Sequence, residues 1–367
     1  MSFISDIFKK KNTSALGIDI GSSSIKVVQL QKKGDKAILQ TYGELSLGPY
    51  GKASIGQSIN LNTEKIIQAV NDLLAEKEVA ITTKTCGLAI PFKASLLSVI
   101  EMPAIGQKEL ASMVPIEARK YIPVPISDVT LDWSIVPKSE VEEIPVVKDE
   151  NKIKTLNILL VAIHNNIINQ YREIISKTGL DAKFFEIEVF SSMRAILEGI
   201  KGAVMIFDMG ASTTKLYMVD RGLVQHSHTI NRGSQDITAN IVRTLNISTE
   251  EAEVIKRSVG MGKTPDGVDL SETVSVVAES IFSEANAFLF EFQKKRNQNI
   301  KSVFLVGGGS ALRGFKDLAA KNFKVEVISG NPFEKVEVPA FLENVLKETG
   351  PEFTVAVGAA LRCLQEL

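Results

Sequence analysis

Gly17-Ile18-Asp19-Ile20-Gly21-Ser22-Ser23-Ser24-Ile25-Lys26 has a second copy further along the chain, Phe207-Asp208-Met209-Gly210-Ala211-Ser212-Thr213-Thr214-Lys215. Aligned on the aspartate, both read D-x-G-x-S-[ST]-x-K, and Asp208 lies 189 positions after Asp19. Each copy follows a short apolar run (Ala15 to Ile18; Ala203 to Phe207) and precedes another (Val27 to Leu30; Leu216 to Val219). Apolar run, Gly/Ser/Thr turn, apolar run is the pattern of a β-hairpin, so the spacing predicts the same hairpin twice. Such a turn presents backbone N–H groups and hydroxyls, which hold phosphate oxygens. Its aspartate can hold the counter-cation, directly or through water. Two such turns facing each other grip a polyphosphate from both sides. One hairpin of this kind is usually only a hairpin; the repeated terminal lysine is what points to a ligand.

Bulk properties narrow the class. At 367 residues the chain suggests about two to four domains. A hydrophobic content of 44% with 23% charged residues is ordinary for a globular protein, and a net charge of −1 argues against a nucleic-acid partner or bulk membrane attraction. Cys86 and Cys363 are unpatterned, which suits a reducing compartment. No apolar run approaches the roughly 20 residues of a membrane span. Lys9-Lys10-Lys11 follows the apolar start, the reverse of a signal peptide, so a cytoplasmic protein is expected. Phe3, Ile4, Ile7 and Phe8 at helical spacing before those lysines read as a weak amphipathic anchor or a small packing helix.

Strands are predicted at 16–20, 25–29 and 37–42, with an amphipathic helix over 62–78. Seven of the twelve prolines fall between Pro91 and Pro145, and none between 146 and 264. That compositional step suggests an inserted subdomain over 85–157. Inside it, a strand (96–101), a helix (107–120) and a strand (129–136) precede a charged, exposed loop over 138–154. A strand over 155–163 leaves the subdomain. Helix, strand and helix follow at 165–178, 182–187 and 189–200. After the second hairpin come a strand (222–230) and helices at 234–246, 249–258 and 269–296. Ser248-Thr249-Glu250-Glu251 is an N-cap with acidic first-turn residues.

A third motif is Lys301-Ser302-Val303-Phe304-Leu305-Val306 running into Gly307-Gly308-Gly309-Ser310, with a helix expected over 311–321. Three glycines let backbone lie flat against a ring and sugar, and the helix start favours an anion. A dinucleotide-binding G-x-G-x-x-G would need glycine at Leu312. Gly262-Lys263-Thr264 imitates the end of a P-loop, but Arg257 stands where its first glycine belongs. Glu253 and Lys256, three apart on one helical face, are either a surface salt bridge or one wall of an adenine pocket. His226 and His228 share a strand face and are a poor candidate for a metal pair.

Two D-x-G hairpins, the later GGGS turn and duplicated sheets resemble the actin/Hsp70/hexokinase ATPase superfamily over residues 14–367. Within it the chain resembles the FtsA/PilM family. The residues that carry this are Gly17-Ile18-Asp19-Ile20-Gly21-Ser22-Ser23-Ser24-Ile25-Lys26-Val27-Val28 and the run Glu117-Ala118-Arg119-Lys120-Tyr121-Ile122-Pro123-Val124-Pro125 followed by Leu131-Asp132. FtsA carries a C-terminal amphipathic membrane helix; here Leu367 closely follows the last core helix, so the PilM branch is expected. The resemblance implies an α/β fold: duplicated actin-like (ribonuclease H-like) ATPase domains with an inserted 1C (SHS2) α+β subdomain. It divides the chain into an N-terminal segment (1–13), subdomain 1A (14–84, 158–201 and 350–367), 1C (85–157), 2A (202–232 and 298–349) and 2B (233–297).

Carried over, the resemblance implies ATP and Mg²⁺. The first phosphate loop is Asp19, Gly21, Ser22, Ser23, Ser24 and Lys26. The second is Asp208, Gly210, Ser212, Thr213, Thr214 and Lys215. Asp19 and Asp208 flank the metal. Gly233 is a turn near the nucleotide, although Arg232 stands at the family's usual paired glycine. Glu253 and Lys256 belong to the adenine-side helix, and Gly308, Gly309 and Ser310 to the adenosine motif. Glu188 matches the connection that orients the attacking water in hydrolysing relatives. The implied function is an ATP-binding scaffold of type IV pilus or related secretion assembly, with slow or no hydrolysis. It would sit at the inner face of the cytoplasmic membrane through its partners. The expected partner is the N-terminal cytoplasmic tail of a PilN-like inner-membrane protein, in a groove between 1A and 1C. Contacts with pilus motor components and self-association are left open. The rival classes are an FtsA-like cell-division filament protein and a small-molecule kinase of the same superfamily. The kinase needs a substrate base in the cleft, and no aspartate motif for one stands out.

Overall fold

The computed structural model describes residues 13–136, 155–200 and 202–367. The apolar–lysine start and the charged loop over 138–154 lie outside the described residues. The described residues up to Ile90, together with Ile175–Leu367, make one compact unit; those of Pro91–Ile174 make a second.

Along the chain, β1 (Ser14–Ile20), β2 (Ser24–Lys33) and β3 (Lys36–Ser46) form an antiparallel meander. Then come α1 (Thr63–Ala75), capped by the Asn62 side chain accepting from the Lys65 amide at 3.0 Å, and β4 (Thr85–Ile90). β4 is buried along its whole length because it lies between β1 and β8 (Asp181–Ile187), parallel to both. The second unit is built from β5 (Ser95–Pro103), α2 (Gln107–Ala118), β6 (Val129–Val136) and β7 (Thr155–His164). Its antiparallel sheet has the order β5-β7-β6, and Leu110, Val114 and Ala118 of α2 pack on Ile100, Ile158 and Leu160. The boundary falls inside α3 (Asn165–Thr178). α4 (Glu188–Ile196) follows β8 directly.

The second lobe of the large unit repeats the first. β9 (Val204–Met209), β10 (Thr214–Asp220) and β11 (Leu223–Ile230) are again an antiparallel meander, extended by parallel β12 (Ser302–Val306) and β13 (Glu326–Ser329). The orders β3-β2-β1-β4-β8 and β11-β10-β9-β12-β13 are the same topology. α5 (Ser234–Leu245), α6 (Thr249–Val259), α7 (Ser271–Arg296) and α8 (Phe315–Asn322) belong to the second lobe. Phe207 sits at its core, with ring centres 5.7, 6.2 and 6.0 Å from Phe282, Phe315 and Phe323. Because Phe207 immediately precedes Asp208, that packing fixes the mouth of the second hairpin.

Three expected boundaries move. β4 belongs to the first large sheet, so the inserted unit begins after Ile90, not at 85. β7 is the central strand of the inserted sheet, and the unit therefore runs on to Ile174 instead of ending at 157. Residues after β13 do not stay with the second lobe: β14 (Val336–Glu337) pairs with β3, and Phe333 packs against Tyr42 and Phe353. The polar periods of those short segments carry no record of which sheet they join.

α9 (Glu343–Thr349) leads to α10 (Thr354–Gln365), whose Ala356, Val357 and Ala360 lie on Ala15, Val28 and Leu30. A buried carboxylate ties α10 to α4 and β8. Glu186 accepts from Ser191 Oγ at 2.6 Å, from Arg194 at 2.6 and 3.0 Å, and from Arg362 Nη1 at 2.8 Å. Burial pushes the Glu186 carboxyl up, but Arg194, Ser191 and Arg362 overcome that and hold it below its ordinary value. Glu186→Ala leaves two guanidinium groups facing a partly buried gap, and is expected to cost about 2–4 kcal/mol in urea denaturation.

Candidate functional site

The two hairpin turns have the same geometry. Gly21 N donates to Ser24 O at 3.0 Å, and Gly210 N to Thr213 O at 2.9 Å. Aspartate and lysine face each other across each hairpin, Asp19 opposite Lys26 and Asp208 opposite Lys215. Ser22, Gly21 and the hydroxyls that follow lie at the surface of the first turn, with Ser24 buried beneath.

The lysines bind differently. Lys26 donates to Ser24 Oγ at 2.7 Å and pairs with Glu44 on β3 at 3.0 Å. Burial opposes its charge, yet Glu44, Glu352 and Asp19 raise its pKa above the ordinary value. Lys215 crosses from the second lobe to the first. It pairs with Glu188 Oε2 at 2.7 Å and with Asp208 Oδ2 at 3.4 Å. Its burial is likewise outweighed, by Asp208, Glu188 and Asp19, so it stays charged. Asp19 is pushed up to about 6, first by burial and then by Glu188, with Lys26 and Lys215 pulling the other way. Between the two turns lies a cluster of carboxylates held together by two lysines.

The remaining candidate residues lie around the second turn and the helices behind it. Gly233 precedes α5 and lies so close to the second turn that a Cβ there would sit 2.4 Å from Ala211 O. The α5 amides of Ser234 and Gln235 donate to Gly210 O and Ala211 O, each at 2.9 Å. The start of α5 therefore braces the turn from behind. Glu253 of α6 accepts from Lys256 at 2.6 Å, Thr238 Oγ1 at 2.8 Å and Arg257 Nε at 2.8 Å. With side chains only 5% and 7% exposed, Glu253 and Lys256 are no surface ion pair. Burial pushes the Glu253 carboxyl up, but Lys256, Arg257 and Thr238 keep it low. The GGGS turn leaves β12 beside Asp208, with Val306 and Asp208 paired in register. Ser310 Oγ closes the turn on Gly307 O at 2.8 Å. The expected helix over 311–321 starts only at Phe315, because Gly314 at φ +85° breaks the chain first. The anion-favouring helix start is therefore not at the GGGS turn.

Two decoys fall away. Gly262-Lys263-Thr264 is a local turn in which Gly262 N bonds Val259 O. His226 and His228 face α7, one against Phe292 and the other stacked on Phe288 with Nε2 2.7 Å from Glu284. Among the described residues, no group of three His, Cys, Asp or Glu side chains is placed to hold a metal by itself. A Mg²⁺ that keeps waters and phosphate oxygens needs only one or two carboxylates, and Asp19 and Asp208 fit that need.

The sequence model of the family described as type IV pilus assembly protein PilM matches residues 17–364. The chain belongs to the PilM family. Among solved structures it is similar to a PilM-PilN type IV pilus biogenesis complex, at 25% identity and a TM-score of 0.77, over 96% of this chain and 99% of that one. It is similar in fold to the ethanolamine utilization protein EutJ from Carboxydothermus hydrogenoformans, at 18% identity and a TM-score of 0.52, over 95% and 89% of the two chains. A more distant relative is the cell division protein FtsA of Streptococcus pneumoniae serotype 2 (strain D39 / NCTC 7466). It is 25% identical over 352 residues, covering 85% of this chain and 74% of FtsA. The fold is the duplicated actin-like ATPase fold expected from the hairpins.

Glu44 and Glu352 escape sequence reading. Glu352 sits in the short turn just before α10, beside Gly308, and burial first and Glu44 after it raise its carboxyl. Gly350-Pro351-Glu352 just before an apolar helix was the available signal.

The Asp19 shift has a measurable sign. With an ordinary value of 3.8 and a folded one of about 6, the folded protein keeps this proton after the unfolded chain has lost it. Its contribution to stability therefore falls as pH rises through that window. Asp19→Asn removes the penalty. In EDTA, its stability advantage over wild type is expected to be about 2 kcal/mol larger near pH 7.5 than near pH 4.5, read by urea denaturation.

Proposed function

We propose that this protein is a cytoplasmic, ATP-binding actin-like scaffold of type IV pilus assembly. In this reading it binds the N-terminal cytoplasmic tail of a PilN-like inner-membrane protein and is held at the inner face of the membrane by that partner. The observation that carries the nucleotide half is that Lys215 of the second D-x-G turn reaches Glu188 of the first lobe, beside Asp19 of the first turn. The partner half is supported by the likeness to a PilM-PilN complex. Among the described residues no helix is long and apolar enough to cross a membrane, which is compatible with attachment through a partner.

Asp19 and Asp208 would hold Mg²⁺, which with the triphosphate supplies the charge that both turns bind. Ser22 and Ser23 on one side, and Ser212 and Thr213 on the other, offer hydroxyls and amides to phosphate oxygens, while Ser24 and Thr214 are buried beneath the turns, Ser24 Oγ accepting from Lys26 and Thr214 Oγ1 donating to Arg232 O. Lys26 and Lys215 bring positive charge already fixed in place, so little reorganisation is needed. Gly308, Gly309 and Ser310 take the adenosine, and Glu253 with Lys256 closes its side. Glu188 is the candidate for orienting water, but its carboxylate is engaged by Lys215 at 2.7 Å. The ammonium competes with a water for that carboxylate. This favours slow or no hydrolysis, with the nucleotide acting on lobe closure.

If closure sets tail affinity, the two ligands are linked and the effect is reciprocal. Titration calorimetry with the synthetic tail of the PilN-like protein is expected to give affinities that differ by about fivefold or more with and without Mg-ATP. Mg-ATP affinity should then shift by the same factor when the tail is present. Equal tail affinities in both conditions would contradict the coupling.

A further inference from the structure

Residues 47–62, between β3 and α1, form a strap that starts and returns on the first phosphate turn. Leu47 N donates to Ser23 O at 2.8 Å, and Ile59 N to Ser22 O at 2.9 Å. Tyr50 OH pins the strap to α1 through Asp72 at 2.6 Å. Its tip is a preformed turn: Gln57 N bonds Ser54 O at 3.2 Å, and the Gln57 side chain accepts from Ser54 N at 3.1 Å.

That tip reaches the other lobe. Ser54 Oγ donates to Glu250 at 2.5 Å, across 196 residues of sequence, and Ser58 N donates to the Gln235 side chain at 3.1 Å, across 177. Gly56, at φ +82°, lies flat against Glu253; a Cβ there would be 2.5 Å from the Glu253 carboxyl carbon. Gln235 also donates its amide to Ala211 O of the second phosphate turn. One hydrogen-bonded path thus runs from Ser22 through the strap and Gln235 to Ala211, joining the backs of both turns.

We propose that residues 54–58 are a latch on the nucleotide site, a wall supplied by the first lobe that closes over α5 and α6 and sets the release rate of bound nucleotide. The proposal rests on the reading that ATP binds this cleft. Its contacts suit a latch. They are few, partly solvent-exposed and made by small polar groups, so each is weak enough to break singly. They also lie on the lobe faces that must separate before a ligand gripped by both turns can leave. Gly56 is the residue that lets the strap lie close, since any side chain there meets both a strained backbone and the Glu253 carboxylate.

The test uses the full chain preloaded with Mg²⁺ and a fluorescent ATP analogue, chased with unlabelled ATP in a stopped-flow instrument. Ser54→Ala combined with Gln235→Ala removes both side-chain contacts while leaving the turn amides in place. Release is expected to accelerate about tenfold, with association changed by less than about twofold. Gly56→Ala should accelerate release in the same direction. If Gly56→Ala fails to fold, the double variant, which trims partly exposed side chains only, decides. Release within about twofold of wild type, with binding intact, overturns the latch and leaves ATP binding standing. Failure of wild type to bind the analogue at all overturns both readings.

Discussion

The ion pair between Lys215 and Glu188 is the contact on which the cleft depends. It joins the second lobe to the first beside Asp19, with Asp208 at 3.4 Å as a second partner of Lys215. Asp19, Asp208 and Glu188 are like charges drawn into a partly buried site, and without the lysines they would repel one another. Asp19 is pushed up to about 6 first by its burial and then by Glu188, with Lys26 and Lys215 pulling the other way. A site built this way gains from any cation or polyphosphate–cation pair that fits between the turns.

Much of the large unit was legible in the sequence because its information is local. The D-x-G-x-S-[ST]-x-K pattern marks both turns, and the apolar runs beside it have the period of strands. The identical strand orders of the two sheets follow from that duplication. Long-range placement was less legible. β4 and β7 bracket the inserted unit, yet nothing local distinguishes a strand that joins one sheet from a strand that joins another. β14 is two residues long and pairs with β3, nearly three hundred positions earlier. Its register comes from Phe333 and Phe353 packing on Tyr42, a tertiary cause.

The candidate site divides along the same line. The turns and the GGGS motif carry their own backbone requirements, so residue type reveals them. Glu253 and Lys256 were ambiguous, because an i, i+3 pair looks the same on a solvated face and in an interior. Burial and the third partner, Thr238, decide between them. Glu44 and the strap left no local signal. They matter only because folding brings them to charges and carbonyls far away in sequence, and a Gly/Ser/Pro-rich stretch such as 47–62 has no periodicity to read. In the GGGS unit, the helix came later than expected because the glycine at 314 breaks the backbone between turn and helix.

The two turns are proposed to hold one ligand between the lobes. The direct measurement is calorimetric titration of Mg-ATP into wild type, Asp19→Asn and Asp208→Asn. If the two turns share the ligand, each substitution alone, in either lobe, lowers affinity by at least about tenfold, or about 1.4 kcal/mol. Loss from one substitution with no effect from the other, or no effect from either, would contradict a site shared between the lobes.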